Sequence, residues 1–334
     1  MVMSVARFGL HGGHAALSRV EGSLAEGDTL ARVKTRVGRR AGVREDGQVT
    51  WFSSPTGASE SLRDTGYLAD SSTATTAYLA GALEKPLLVE GPAGVGKTEL
   101  AKAVARATCA DLVRLQCYEG LDEARALYEW NYKKQLLFIQ ASGDDRAWSE
   151  THDDIFTDEF LLTRPLLTAI RRETPTVLLI DEVDKTDVEV EGLLLEVLSD
   201  FQVTIPELGT VVAVRRPYVV LTSNASRELS EALKRRCLYL HLGYPDAERE
   251  REIVTGQVPD LDRRIAEQLV DTIGRLRDLD LKKAPSIAES VDWARTLVAL
   301  QVGSLDDETI SRTLGAVLKH ASDHDRAIKE LGLT

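Results

Sequence analysis

The sequence predicts an α/β protein in which a central parallel sheet is flanked by helices and followed by a small all-helical domain. Three observations indicate this fold class. Strand-length apolar runs precede Pro245, a glycine-rich turn joins one of these runs to a helix, and helical patterns alone follow Pro245. Runs that are apolar throughout are typical of strands covered on both faces. The order strand, glycine-rich turn, helix is typical of parallel sheets.

The domain boundaries follow from length and composition. A chain of 334 residues corresponds to about two domains of about 150 residues each. A hydrophobic fraction of 43% and a charged fraction of 28% are ordinary for a globular protein. We expect an α/β domain over residues 61–244 and a helical domain over residues 245–334.

Residues 1–60 differ from the rest of the chain. They are rich in Gly, Ser and Arg and have no sustained apolar periodicity. Six basic residues occur there without an intervening acid: Arg32, Lys34, Arg36, Arg39, Arg40 and Arg44. We interpret residues 1–60 as a basic, disordered extension, and a basic arm for an acidic partner or nucleic acid is the alternative.

Several classes of protein are disfavoured by charge, cysteine content and hydropathy. A net charge of −12 argues against a protein that coats nucleic-acid phosphates. The three cysteines lack CxxC spacing, which fits a reducing cytosol and no zinc site. No apolar run approaches the ~18 residues that cross a bilayer. We therefore expect a cytoplasmic protein with no membrane span and no nucleic-acid partner.

The predicted elements follow one another in a regular order. The first domain begins with a helix over 73–83, a strand over 87–89 and a helix over 98–109. Two further buried strands are predicted at 176–180 and 218–222. The last part of the chain contains four predicted helices, at 246–256, 261–279, 287–302 and 307–321.

The glycine-rich turn carries the most specific motif. Eight residues fit the pattern G-x-x-x-x-G-K-[ST]: Gly91, Pro92, Ala93, Gly94, Val95, Gly96, Lys97 and Thr98. Such a loop surrounds phosphates with backbone N–H groups at the positive end of a helix. Lys97 is expected to reach the β- and γ-phosphates, and Thr98 to bind Mg²⁺. Together with Glu99, the motif predicts a site for ATP and Mg²⁺.

Two later strands end in polar residues that suit the same chemistry. Asp181 and Glu182 end the strand at 176–180, where Asp181 suits a Mg²⁺ ligand and Glu182 suits activation of a water. Alone, this pair also fits a surface turn. Asn224 ends the next strand and suits orientation of the attacking water, or else a simple strand cap. Arg235 and Arg236 suit either helix-dipole compensation or a contact with a neighbouring subunit's γ-phosphate.

These residues together resemble the AAA+ ATPases. The resemblance makes 91–98 the Walker A motif, 177–182 the Walker B motif, Asn224 sensor 1 and Arg236 the arginine finger, followed by a helical lid. The fold implied is a P-loop AAA+ core. More narrowly, the chain resembles the MoxR group and its CoxD-like accessory ATPases, in five stretches: 66–70, 115–122, 128–132, 159–167 and 201–210.

The resemblance implies a function and partners. A MoxR-type protein is expected to form a homo-hexameric ring that hydrolyses ATP to remodel a protein client, with a von Willebrand factor A domain protein as partner. The CoxD-like match implies a molybdenum hydroxylase client such as carbon monoxide dehydrogenase. Tyr67 would lie against the adenine. The insertion before Walker B and a hairpin around 201–213 would contact clients.

One departure from the MoxR pattern stands in the lid. Ile287 occupies the position of the sensor 2 arginine, and Lys282 or Lys283 is a candidate substitute that lacks the planar fork of arginine. This departure keeps open a nucleotide-gated adaptor with little turnover. A third alternative is an AAA+ component of a gas-vesicle or antiphage assembly.

Overall fold

The computed structural model describes residues 42–43, 49–142, 152 and 154–333. Apart from the short strand Gly42–Val43, the predicted basic extension up to residue 48 lies outside the described residues. The described residues belong to one compact unit. None of the helices in these ranges is long and apolar enough to cross a membrane.

The centre of the fold is a five-stranded parallel sheet. In spatial order it consists of β11 (Leu238–His241), β3 (Leu87–Glu90), β10 (Tyr218–Ser223), β7 (Thr176–Asp181) and β4 (Asp111–Gln116). The sheet confirms the predicted fold class and the three predicted strands. The two edge strands were not predicted, because polar or exposed residues interrupt their apolar runs.

Three small antiparallel pairs accompany the main sheet. They are β1 (Gly42–Val43) with β2 (Val49–Thr50), β5 (Tyr128–Trp130) with β6 (Leu161–Thr163), and β8 (Gln202–Ile205) with β9 (Gly209–Val212). The last pair is the hairpin that the family resemblance placed around 201–213.

The helices of the first part are α1 (Pro55–Asp64), α2 (Ser71–Ala82), α3 (Lys97–Thr108), α4 (Glu123–Ala126), α5 (Tyr132–Ser142), α6 (Pro165–Arg171), α7 (Val188–Asp200) and α8 (Glu231–Arg236). The helices of the last part are α9 (Ala247–Gln257), α10 (Arg263–Arg277), α11 (Ile287–Ala299), α12 (Asp307–Thr313) and α13 (Ala321–Leu331). Single turns of 3-10 helix occur at Asp158–Phe160, Val183–Lys185 and Leu314–Ala316.

The sheet separates two hydrophobic cores, since neighbouring residues of a strand face opposite sides. On β7, Leu178 and Ile180 join the core that includes α6 and α7, whereas Val177 and Leu179 join the core that includes α1, α2 and α3. All six residues of β7 are buried, which explains why this strand reads as a continuous apolar run.

The last five helices share a third core of their own, centred on fully buried Trp293. The Trp293 indole N–H donates to Thr313 Oγ1 at 2.8 Å, so its polar atom is satisfied inside this core. Caps fix where the helices begin: Asp246 caps α9, and Ser286 and Glu289 form a capping box at α11.

Two predictions about boundaries are wrong. Disorder up to residue 60 does not hold, because Trp51, Phe52 and Ala58 are buried and α1 begins at Pro55. A single helix over 307–321 does not form either. That segment ends its α-helical part at Thr313, and a separate helix α13 starts at Ala321, since the chain must turn to bury Leu314.

Candidate functional site

The glycine-rich loop lies between β3 and α3, and its conformation requires residues without side chains at several positions. Gly94 and Gly96 have φ of 76° and 99°, a region that favours glycine. A Cβ atom on Gly91 would lie 2.0 Å from the carbonyl oxygen of Leu242, and one on Gly94 would lie 2.3 Å from Ser286 Oγ. The loop is therefore packed between Leu242, which follows β11, and Ser286, which precedes α11.

Lys97 begins α3 and turns its ammonium group back over the loop. Its Nζ donates to the carbonyl oxygens of Gly91 and Pro92 and to Asn224 Oδ1, each at 2.7 Å. Burial lowers the pKa of Lys97, and the surrounding carboxylates oppose this shift. The contact with Asn224 brings two predicted site residues together across 127 positions of sequence.

Asp181 is buried at the carboxyl end of β7 and accepts four hydrogen bonds. Its Oδ1 accepts from Thr98 Oγ1 at 2.9 Å and from Thr222 Oγ1 at 2.6 Å. Its Oδ2 accepts from Arg114 Nε at 3.1 Å and from Arg114 Nη2 at 2.5 Å. The predicted Mg²⁺ residues Thr98 and Asp181 thus lie in direct contact.

Glu182 follows in the left-handed region with φ of 60°, an uncommon conformation for a residue with a side chain. Its N–H donates to Thr222 Oγ1 at 2.9 Å, which supports this turn. Its Oε2 accepts from Gln116 Nε2 at 2.9 Å and from Lys185 Nζ at 2.7 Å. The carboxylate predicted to activate water is therefore held by an amide of β4 and by a lysine of its own turn.

Asp184 anchors the loop that carries Asn224. Its Oδ2 accepts from the Asn224 N–H at 3.2 Å, the Ser226 N–H at 3.0 Å and Ser226 Oγ at 2.6 Å. Burial raises the pKa of Asp184, but these hydrogen bonds outweigh burial and the net pKa is lowered. Asp184 is a positioning residue that the sequence reading did not single out.

A cavity of about 760 Å³ opens beside the loop. Gly94, Val95, Gly96 and Glu99 form one side, and Tyr67 lies next to them. The Tyr67 ring is within 3.7 Å of the position of a Cβ on Gly96, and burial raises its pKa. A volume of this size falls in the range of small-molecule and cofactor sites.

The last helices supply the opposite wall of the cavity. Ile287, which the family resemblance aligned with the sensor 2 arginine, lines the cavity at the start of α11, and Arg295 lines it two turns later. Arg249 of α9 lines it as well and donates to the carbonyl oxygen of Leu68. These two arginines are the cations of the helical part that face this cavity, in the portion of the chain that the structure describes.

The two lysines considered as sensor 2 substitutes have other contacts. The Lys283 ammonium pairs with Glu289 at 2.9 Å. The backbone N–H groups of Lys282 and Lys283 donate to the buried carboxylate of Asp323. Neither lysine lines the cavity.

Arg235 and Arg236 end α8 at the surface. Arg236 Nε donates to Ser199 Oγ at 2.6 Å, and Arg235 lies 3.9 Å from Glu231 with most of its side chain exposed. The structure records no contact of either arginine with Lys97, Asp181 or Glu182 among the residues it describes. Both therefore lie apart from the loop of their own chain.

The donor set fits Mg²⁺. Among residues 49–142, 152 and 154–333, no three His, Cys, Asp or Glu side chains cluster closely enough to hold a metal ion alone. Mg²⁺ is usually held by one or two carboxylates together with substrate phosphates and waters. Thr98 at the start of α3 and Asp181 at the end of β7 supply the protein part of such a site.

Sequence reasoning missed Arg114 and Gln116, which contact the Walker B carboxylates, and Arg249 at the cavity. A signal for Gln116 was present, because it belongs to the stretch 115–122 quoted for the family resemblance, whereas Arg114 lies just outside that stretch. Arg114 and Gln116 occur two residues apart, so they share one face of β4. Their partners became clear only from the pairing of β4 with β7.

A parallel sheet with a phosphate-type loop and two acids at the end of an adjacent strand defines a P-loop nucleotide-binding fold. Residues 86–237 match the family model described as the AAA domain of the dynein-related subfamily. Over this stretch the chain is similar to AAA domains.

Curated relatives are similar to parts of the chain. Chaperone protein ClpB 2 of Parasynechococcus marenigrum is 35% identical over 40% of this chain and 13% of the relative. The gas vesicle ATPase GvpN of Haloferax mediterranei is 27% identical over 72% of this chain and 71% of the relative. The chain spans only 13%, 14% and 16% of the first three chaperone and Clp relatives. A Thermotoga maritima RuvB mutant aligns with a TM-score of 0.44 at 16% identity, over 83% of this chain and 73% of that one.

Proposed function

We propose that the chain binds ATP with Mg²⁺, hydrolyses it, and uses the released energy to remodel a protein client. One observation carries the proposal. Five residues meet where the central strands of the sheet end: Lys97, Thr98, Asp181, Glu182 and Asn224. The contacts are Lys97 Nζ to Asn224 Oδ1 at 2.7 Å and Thr98 Oγ1 to Asp181 Oδ1 at 2.9 Å.

Each residue has a role in this proposal. Lys97 exchanges its bonds to the loop carbonyls for bonds to the β- and γ-phosphates. Thr98 and Asp181 hold Mg²⁺, which when bound neutralises charge on the phosphates. Glu182 accepts the proton of the attacking water, and Asn224 orients that water. The bonds from Gln116 and Lys185 both go to Oε2 of Glu182, so Oε1 is the oxygen assigned to accept this proton.

The nucleotide base is assigned to the cavity. Tyr67 packs on its wall next to Gly96, and the apolar side chains of Val95 and Ile287 also line it. Concave sites with mostly apolar walls and a few polar groups are typical of nucleotide binding. The loop 91–98 then receives the phosphates at the end of the cavity where Gly94 and Gly96 lie.

The assembly belongs to the same proposal. We assign the chain to the MoxR type, acting as a homo-hexameric ring with a von Willebrand factor A domain partner. The exposed position of Arg236 at the end of α8 supports a role toward a neighbouring subunit. A molybdenum hydroxylase such as carbon monoxide dehydrogenase is the proposed client, on the CoxD-like resemblance alone.

The test is steady-state ATPase activity against protein concentration. We expect the specific rate to rise with concentration, because the site is completed between subunits. Arg236→Ala should lower it by about 10³-fold or more, and Glu182→Gln should abolish turnover while nucleotide still binds. The control is Arg312→Ala, which removes an exposed arginine that pairs with Glu308 at 3.7 Å. A concentration-independent rate that Arg236→Ala leaves unchanged contradicts the ring.

A nucleotide-gated adaptor is the second candidate. Ile287 at the sensor 2 position and the two donors on Glu182 favour slow turnover. This candidate predicts tight ATP binding and a rate that Glu182→Gln does not change.

A component of a gas-vesicle or antiphage assembly is the third candidate. The similarity to GvpN over 72% of this chain and 71% of that protein favours the gas-vesicle setting. Neighbouring genes distinguish the settings: molybdenum hydroxylase subunits support the proposed client, whereas gas-vesicle structural genes support this alternative.

A further inference from the structure

Arg114 is the cation that the chain itself places on the Walker B aspartate. It lies on the edge strand β4, and its side chain is 48% exposed, whereas that of Asp181 is 3% exposed. Two N–H groups of its guanidinium, Nε and Nη2, donate to the same oxygen, Asp181 Oδ2, at 3.1 and 2.5 Å. Charge-assisted bonds of this kind are stronger and more directional than neutral ones.

Arg114 is not needed to satisfy the other half of that carboxylate. Asp181 Oδ1 already accepts from the hydroxyl groups of Thr98 and Thr222. The guanidinium therefore adds a full positive charge to a carboxylate that is already oriented by neutral donors. Its Nη2 also donates to Gln116 Oε1, which keeps the guanidinium of Arg114 at the carboxyl end of the sheet.

The position of this charge has an electrostatic consequence. Thr98 and Asp181 are the residues assigned to Mg²⁺, so a permanent cation on Asp181 repels a divalent ion there. The same charge attracts the phosphates of a nucleotide that carries no metal. Because half of the side chain is exposed, solvent screens both effects strongly, and each stays within about one order of magnitude.

We propose that Arg114 sets the divalent-cation requirement of the nucleotide site: it competes with Mg²⁺ at Asp181 and partly replaces its charge when Mg²⁺ is scarce. This inference rests on the proposed function, since it assumes that Lys97 and Thr98 bind a nucleotide with Mg²⁺. Arg114 acts on Mg²⁺ through Asp181 and on the phosphates through its own charge.

The experiment measures binding of a fluorescent ADP analogue to the full chain, in EDTA and across a Mg²⁺ titration. Arg114→Met removes the charge and keeps the length of the side chain, and Arg114→Lys keeps the charge. We expect Arg114→Met to raise the ratio of the Kd in EDTA to the Kd in saturating Mg²⁺ by about 3- to 10-fold. In Arg114→Met, the Mg²⁺ concentration that produces half of the change in Kd should fall. Arg114→Lys should remain near the wild type in both quantities.

Arg172→Met is the matched control. Arg172 pairs with Asp111 at the other end of β4, at 2.6 Å, and its side chain is 38% exposed. Arg172→Met should leave the ratio of the two Kd values unchanged. Thermal unfolding should verify that Arg114→Met and Arg172→Met both fold. A merely structural role of Arg114 weakens binding equally with and without Mg²⁺.

The outcomes distinguish failure of this inference from failure of the proposed function. If the wild type binds the analogue but Arg114→Met leaves the ratio unchanged or lowers it, the inference is wrong and the proposed function stands. If Arg114→Met does not fold, Arg114→Gln is measured in its place against the same criterion. If the wild type binds no nucleotide in either condition, the proposed function fails, and this inference fails with it.

Discussion

A buried ion pair holds the helical part of the chain together, and removing one partner should destabilise it strongly. Arg277 of α10 donates to both carboxylate oxygens of Glu250 of α9, at 2.5 and 2.8 Å. The two side chains are 14% and 2% exposed. Arg277 also donates to the carbonyl oxygen of Pro285 at 2.8 Å, and Ser290 Oγ donates to Glu250 at 2.6 Å.

The expected magnitude follows from these contacts. In Arg277→Met the apolar stem is kept, but Glu250 stays buried with the single hydroxyl of Ser290 as its recorded partner. An uncompensated buried charge of this kind costs about 3–5 kcal/mol. With a urea dependence of about 2–3 kcal/mol per molar, the unfolding midpoint should fall by about 1–2.5 M.

The assay is urea unfolding followed by tryptophan fluorescence and circular dichroism. Trp293 lies fully buried in the same core, so it contributes to the fluorescence signal from this region alongside the tryptophans elsewhere in the chain. The double variant Glu250→Leu with Arg277→Met should recover about 2 kcal/mol or more of the loss, because an apolar pair replaces the ion pair without leaving a charge behind. Arg312→Met removes an exposed pair with Glu308 and should cost at most about 0.5 kcal/mol.

Two results would refute this reasoning. A loss below about 1 kcal/mol in Arg277→Met would mean that water or another cation compensates Glu250. A double variant that is no more stable than Arg277→Met would mean that the pair is needed for packing rather than for charge compensation.

Three further predictions follow from other parts of the structure. Gly91→Ala should abolish nucleotide-analogue binding in a fluorescence titration, because its Cβ would lie 2.0 Å from the Leu242 carbonyl oxygen. Asp184→Asn should destabilise the protein at pH 7 but progressively less below about pH 4. The lowered pKa of Asp184 gives stability that is present above the unfolded pKa and lost as the pH falls through the folded one, and pH-dependent urea unfolding measures this. Burial raises the pKa of Cys117 to about 12, so iodoacetamide at pH 8 should modify exposed Cys109 well before Cys117, as peptide mapping would show.

The glycine-rich loop, strands β3, β7 and β10 and helices α2, α3, α9, α10 and α11 could be predicted because their signals are local. The loop residues 91–98 are contiguous, and each strand at the centre of the sheet contains an uninterrupted apolar run because both faces are covered. The edge strands β4 and β11 carry no such run. Their exposed faces take polar residues, so periodicity alone did not identify them.

The sequence by itself determined which residues suit phosphate and Mg²⁺ chemistry: Lys97, Thr98, Asp181 and Glu182. Only the tertiary structure decided which side chains hold them. Arg114 is 67 positions from Asp181, and Arg249 of α9 joins the wall of a cavity that begins near Tyr67. These contacts depend on the order of strands in the sheet and on how the last helices pack against the loop. Local propensity does not encode either one, because both arise from burial of apolar faces between segments distant in the chain.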